Sequence, residues 1–413
     1  MITLLLSCAD APNKTIEFKE KTAANILGNP NYLAISYGGY RQITRDVQPT
    51  IKELKNDMKI LFAMGVKILR TYNVHFDQAS NLLNAISELK QEDPNFEMYV
   101  MLGAWIDCKS AFNWENGEPN HNEESERNPI EIATAVSLAK KHPNIVKIIA
   151  VGNEAMVKWA TNYYVRPGII LKWVNHLQNL KKTGELPKDL WITTSDNFAS
   201  WGGGGKEYHV EDLEKLIHAV DYISMHTYPM HDTHYNPVFW GVLESEENLT
   251  KEEKIKASMY RAKEYAISQY ESVKGYMKSL GVNKPIHIGE TGWTSFSGGH
   301  YGNSGAKATD EYKEALYYKY MREWTQKEGM SCFYFEAFDE NWKDPQNPEG
   351  SENYFGLFTI DGKAKYALWN LVNKGVFNGL TRNGNPITKT YNGNKTELMK
   401  EVLVPSVKQL QEH

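Results

Sequence analysis

Two glutamates stand where strand-like runs break into loops. Ile145-Val146-Lys147-Ile148-Ile149-Ala150-Val151 leads into Gly152-Asn153-Glu154, and Pro285-Ile286-His287-Ile288-Gly289 leads into Glu290-Thr291-Gly292-Trp293. A carboxylate at the end of a buried strand is costly unless it is paired or solvated, so the two placements point to a shared polar cavity. Two carboxyls in one cavity suit an acid and a nucleophile. One, held protonated, gives its proton to a leaving oxygen, while the other, held ionised, attacks or stabilises an acetal carbon. The neighbours suit the same chemistry: Asn153 supplies a hydrogen-bond donor, and Trp293 a ring of the kind that stacks on sugar faces.

Such side chains need a scaffold that presents strand ends to one face. Short β-branched or apolar runs at 33–37, 66–72, 97–105, 145–151, 190–195, 221–228, 285–289 and 331–335 predict strands. Between them Ile51, Leu54, Met58, Leu61 and Phe62 recur at helical spacing, as do Leu82, Leu83, Ile86 and Leu89. Further helical patterns cover 129–141, 167–182, 210–219, 251–280, 310–327 and 365–374. Eight strand–helix units predict a single-domain α/β fold, the (β/α)8 barrel. Active sites of that fold lie at the carboxyl ends of the strands, which places Glu154 after strand four and Glu290 after strand seven. The long polar segments 107–128, 229–250 and 341–354 follow strands three, six and eight and should wall a cleft. Tyr235, Phe239 and Trp240 give the second of these an apolar anchor, so it is expected to close part of the cleft and favour chain ends or short products. The division expected is a leader and N-terminal extension over 1–31, the barrel over 32–376, and a tail packed on the barrel over 377–413.

The chain has 413 residues and a formal charge of −5, from 46 basic and 51 acidic residues. With no long basic run, nucleic acid is not the expected partner. Aromatics are 12% of the residues, with 11 Trp and 24 Tyr, more amphipathic ring surface than a core requires. No Cys/His cluster has metal-ligand spacing, and no metal or cofactor is expected; His226, His231 and His234 read as polar loop groups. Cys108 and Cys332 fall in separate strand regions and read as buried thiols. Near the start, Leu4-Leu5-Leu6-Ser7-Cys8 resembles the end of a bacterial lipoprotein signal. The expectation is a lipid on Cys8 and a place in a bacterial cell envelope, in the outer membrane or periplasm, or secretion.

Four stretches together resemble glycoside hydrolase family 17, the β-1,3-glucanases of the large retaining barrel clan. They are Val151-Gly152-Asn153-Glu154, Gly289-Glu290-Thr291-Gly292-Trp293, Phe335-Glu336-Ala337-Phe338-Asp339-Glu340-Asn341-Trp342-Lys343 and Tyr354-Phe355-Gly356-Leu357-Phe358. The resemblance spans about residues 33 to 375 and implies retaining hydrolysis of β-1,3-glucan, with Glu154 as acid/base and Glu290 as nucleophile. It further implies that Asn153 holds the sugar 2-hydroxyl, that Tyr228 keeps the nucleophile ionised, and that Glu340 and Lys343 form a charged pair near the reducing side or, alternatively, a structural salt bridge. Tyr37, Arg70, Trp293 and Trp342 are expected in the cleft lining, Arg70 alternatively as a buried partner that lowers a carboxylate pKa. One departure stands out: plant members carry Asn in a strand-six Asn-x-Tyr-Pro motif where this chain has His226. The inserts after strands three and six also look longer than in the plant enzymes. A transglycosylase of the same family and a non-catalytic glycan-binding surface lipoprotein are the rival readings. A monomer is expected, with a β-1,3-glucan polysaccharide or oligosaccharide as partner.

Overall fold

In a computed structural model of the protein, which describes residues 21–407 except Trp114 and Asn116, the eight apolar runs become eight parallel strands. These are β1 Leu33–Ser36, β2 Val66–Arg70, β3 Tyr99–Ala104, β4 Val146–Asn153, β5 Trp191–Asn197, β6 Ile223–His226, β7 Ile286–Gly292 and β8 Cys332–Phe335. Each pairs with the next, and β8 pairs back onto β1, closing a (β/α)8 barrel. Helices cover the outer face and side chains fill the inside, which is why β3 is buried throughout and β4 until Asn153.

The helix boundaries follow local chemistry. Thr50 opens helix Ile51–Ala63 and Thr250 opens helix Lys251–Ser279; each hydroxyl accepts from the backbone N–H three residues on, and that residue's glutamate accepts in return. Helix Pro167–Thr183 starts on a proline and ends at Gly184, whose φ of 82° is the left-handed conformation that glycine adopts at little cost.

Residues expected as an N-terminal extension include the barrel floor. Helix Ala23–Ile26 and the following turn bury Ala23, Ile26, Leu27 and Tyr32 against Ile68, Met101, Ile148, Tyr222 and Phe333. Cys8 lies outside the described residues. At the other end a two-stranded ladder pairs Thr381–Arg382 with Asn385–Pro386, and the Arg382 guanidinium is buried against Asp57, Nε to Oδ1 3.2 Å.

Two cleft-facing inserts carry structure of their own. The segment after β3 forms a hairpin of Cys108–Lys109 with Asn120–Glu124. The segment after β6 forms helix Pro229–Tyr235 and two short turns. Trp240 fastens it, its indole N–H donating to the Ala306 carbonyl at 2.7 Å, and Phe239 stacks on Tyr265 at 4.3 Å. Cys108 and Cys332 are buried free thiols.

Candidate active site

Glu290 sits near the end of β7 with 6% of its surface exposed. Tyr228 Oη donates to its Oε1 at 2.6 Å and Tyr72 Oη to its Oε2 at 2.9 Å. The guanidinium of Arg70, itself 1% exposed, also donates to Oε2. Burial alone would raise this carboxyl's pKa. The Arg70 charge, the nearby His226 and the two phenols outweigh burial and hold it well below the ordinary carboxylate range. Burial and the Glu290 charge push both phenols far above their usual range, so they remain donors.

Glu154 follows β4 through a sharp exit. Gly152 has φ 82° and Glu154 itself φ 45°, left-handed for a side-chain-bearing residue. The turn is tied to β5: Glu154 N–H donates to the Ser195 carbonyl at 3.0 Å, and Met156 N–H donates to Asp196 Oδ2 at 2.8 Å. Glu154 keeps a quarter of its side chain exposed, and its Oε1 lies 3.1 Å from His226 Nδ1. Asp196 is fully buried, and burial followed by the neighbouring Glu154 charge pushes its pKa up to about 7. Between the two glutamates Asn153 uses its amide oxygen to accept from Arg70. Arginine can only donate, so the orientation is fixed and the Asn153 NH2 is left to donate elsewhere.

Glu154, Glu290 and Tyr228 share one cavity of about 820 Å³ with Trp159, Phe198, Tyr235 and Phe335, a size in the range of ligand-binding clefts. His231, on the helix after β6, and Glu352, in the segment after β8, both line it and meet directly, Nε2 to Oε1 3.3 Å. Burial would lower the His231 pKa, but the Glu352 carboxylate outweighs it and the value stands above normal.

The structure brings together Glu154, Glu290, Asn153, Arg70 and Tyr228, with Arg70 in the carboxylate-partner position. Trp293 is elsewhere, which corrects the cleft-lining expectation. It is fully buried, its indole N–H donates to Ala308 O at 2.8 Å, and its ring packs 5.0 Å from Tyr317 and 5.5 Å from Trp240. Side chains alternate along a strand, so when Glu290 points inwards, Thr291 and Trp293 point out to the helices; Thr291 Oγ1 duly meets Tyr317 Oη at 2.8 Å. Tyr37 is likewise buried, its phenol donating to Asp57 Oδ2 at 2.8 Å, and offers no surface to a ligand. Glu340 is 2% exposed and accepts from Tyr40 N–H at 3.0 Å and the Trp342 indole at 2.9 Å, so it ties loops together. Lys343 lies 3.6 Å from Glu340, contacts Glu336 more closely, and caps the Phe335 ring at 3.9 Å. Trp342 is half-buried with Arg45 stacked on one face at 4.2 Å.

Sequence reasoning missed several members of the site. Tyr72 was legible in principle: it stands two residues after Arg70 and so shares its side of the strand line. His226 is the same distance from Tyr228, and it is a fully buried β6 residue, not the polar loop group expected. Trp159, His231 and Glu352 lie in a turn and short helical segments whose course no periodicity specifies.

The BtgE/BtgC glycoside hydrolase domain matches residues 34–356, and the chain belongs to that family. Its position there agrees with the family 17 resemblance. A crystal structure of an endo-laminarinase from Formosa Hel1_33_131 is 67% identical, with TM-score 0.94, covering 95% of this chain and 100% of that one. A probable glucan endo-1,3-beta-glucosidase, btgC, of Aspergillus flavus is 26% identical over 78% of this chain. The matched region is 40% of that relative's length. An active-site mutant of Rhizomucor miehei beta-1,3-glucanosyltransferase with laminaritriose, at 21% identity and TM-score 0.55, shares the fold.

Proposed function

We propose that the protein is a retaining glycoside hydrolase that cleaves β-1,3-glucosidic bonds of laminarin-type glucan through a covalent glycosyl-enzyme intermediate. The observation that carries this reading is the contrast between the two glutamates in one cavity. Glu290 is buried and held ionised by Arg70, Tyr72 and Tyr228. Glu154 is part-exposed in the same cavity and contacts an imidazole in place of a fixed cation. An ionised carboxylate with fixed donors attacks the anomeric carbon, and a carboxyl without a fixed cation gives and takes the proton. Direct attack requires carboxyls roughly 5–5.5 Å apart, because no water stands between nucleophile and sugar. In the first step Glu154 protonates the leaving oxygen as Glu290 bonds to carbon; in the second Glu154 deprotonates the water that releases the sugar. The Asn153 NH2 is placed to donate to the 2-hydroxyl, a bond that tightens in the transition state.

The substrate assignment draws on the laminarinase neighbour, whose whole chain is matched. That neighbour is an endo-enzyme, which favours internal cleavage over the chain-end preference expected from the insert after β6. Release of reducing sugar from laminarin tests the reading: Glu290→Ala should lose roughly three or more orders of magnitude, since the cationic centre loses nucleophile and counter-charge together. Equal activity of variant and parent would overturn it. Lipid attachment at Cys8 would hold such an enzyme where polymer meets the cell; equal partition of the parent and Cys8→Ser into detergent would remove that part.

A further inference from the structure

Glu154 does not stand alone in its wall. Its Oε1 is 3.1 Å from His226 Nδ1, His226 Nε2 is 2.7 Å from Ser195 Oγ, and Ser195 Oγ is 2.8 Å from Ser224 Oγ. The imidazole and both serines are fully buried. Strand register assembles this row: Asn197 pairs with His226, His226 with Glu290, and Ser195 with Ser224. The residue before the nucleophile is bare to admit it. A Cβ at Gly289 would stand 2.1 Å from Ser224 Oγ and 2.6 Å from Ser195 Oγ. A run of three hydrogen-bonding side chains ending on Glu154, with a glycine making room, exceeds what packing alone requires.

The direction of the bonds follows from donor chemistry. When Glu154 is ionised it can only accept, so Nδ1 carries a hydrogen and donates to Oε1. In a neutral imidazole the other nitrogen is then an acceptor, Ser195 donates its hydroxyl hydrogen to Nε2, and Ser224 donates to Ser195.

We propose that His226, oriented by Ser195 and Ser224, is a positioning residue that occupies Oε1 of Glu154 and reserves Oε2 for proton transfer. The proposal rests on the acid/base reading of Glu154 given above. With Oε1 accepting from the imidazole, the proton of the acid form rests on Oε2. It passes to the leaving oxygen as the glycosidic bond breaks and Glu290 bonds to carbon. In the second step a proton from the attacking water returns to Oε2. His226 keeps its hydrogen throughout.

The test compares His226→Leu, which removes the donor, with His226→Asn, whose side-chain NH2 takes the place of Nδ1–H. Each is assayed as the full chain on laminarin oligosaccharides and on a dinitrophenyl β-laminaribioside, whose leaving group needs no acid. On the oligosaccharides His226→Leu should lower kcat by roughly 10²-fold with KM little changed, since general acid help contributes about that much or more. On the aryl glycoside its glycosylation rate should fall only a few-fold, and His226→Asn should recover most of the loss on oligosaccharides. Ser195→Ala should show the same leaving-group signature more weakly, with thermal melting near the parent's. Equal losses on both substrates, or an asparagine variant no better than leucine, would overturn the proposal. Glu154→Gln separates the two levels. If it shows strong leaving-group dependence while His226→Leu behaves as the parent, only the role of His226 falls; if it shows none, the acid assignment falls with it.

Discussion

Tyr228 and Glu290 are joined by a 2.6 Å hydrogen bond from phenol to Oε1, and Glu290 is a buried residue lining the shared cavity. Tyr228 follows β6, whose His226 pairs in register with Glu290 on β7, so the donor and the proposed nucleophile are fixed to neighbouring strands. A nucleophile held by strand-borne donors needs no rearrangement at the moment of attack. Tyr228→Phe keeps the ring and removes this donor. Loss of one charge-assisted bond should lift the Glu290 pKa by about one unit. The ionised form is the active one, so the acid limb of kcat/KM should move to higher pH by that amount. An unmoved acid limb would show that Arg70 and Tyr72 alone fix the charge.

Glu154→Gln removes the proposed proton donor while preserving shape. Hydrolysis of laminarin should fall by roughly 10²–10⁴-fold, whereas glycosylation by an activated aryl glycoside should suffer far less, because a good leaving group departs without protonation. Parallel losses on the two substrates would reassign the acid.

Asp196, fully buried below the Glu154 turn, should make stability depend on pH. Its folded pKa, pushed to about 7 by burial and the Glu154 charge, lies above the unfolded value. Between roughly pH 4 and 7 the native state therefore binds more protons than the unfolded chain, and this contribution is full at the low end and lost as pH rises through 7. Its slope is on the order of 1 kcal/mol per pH unit. Asp196→Asn cannot ionise, so denaturant midpoints measured across that window should show a flatter decline than the parent's. An unchanged slope would mean that the Met156 and Asn197 N–H donors already hold Asp196 ionised.

The barrel was legible because its strands are apolar runs ended by polar residues. β3 and β4 are buried on both sides and read without ambiguity. The hairpin strand Asn120–Glu124 was not, since all five residues are polar, and helix Pro229–Tyr235 has no repeating apolar face. Within the site, Glu154, Asn153, Tyr228 and Glu290 stood out because a polar residue at a strand end has few places to go. Trp293 misled because adjacency in sequence is not adjacency across a strand; alternation sends it to the Tyr317 side. The service of Arg70 to Glu290 joins residues 220 positions apart. Only barrel closure sets that pairing, and the sequence reading could offer it as one of two alternatives.

The central claim is that Glu290 attacks the sugar directly, and the anomeric configuration of the first-formed product tests it most simply. Proton NMR of laminarin hydrolysis, followed in the first minutes before mutarotation, should show the β-anomer at the new reducing end, because two successive displacements restore the starting configuration. First appearance of the α-anomer would mean a single displacement by water, and would contradict the assignment of Glu290 as nucleophile.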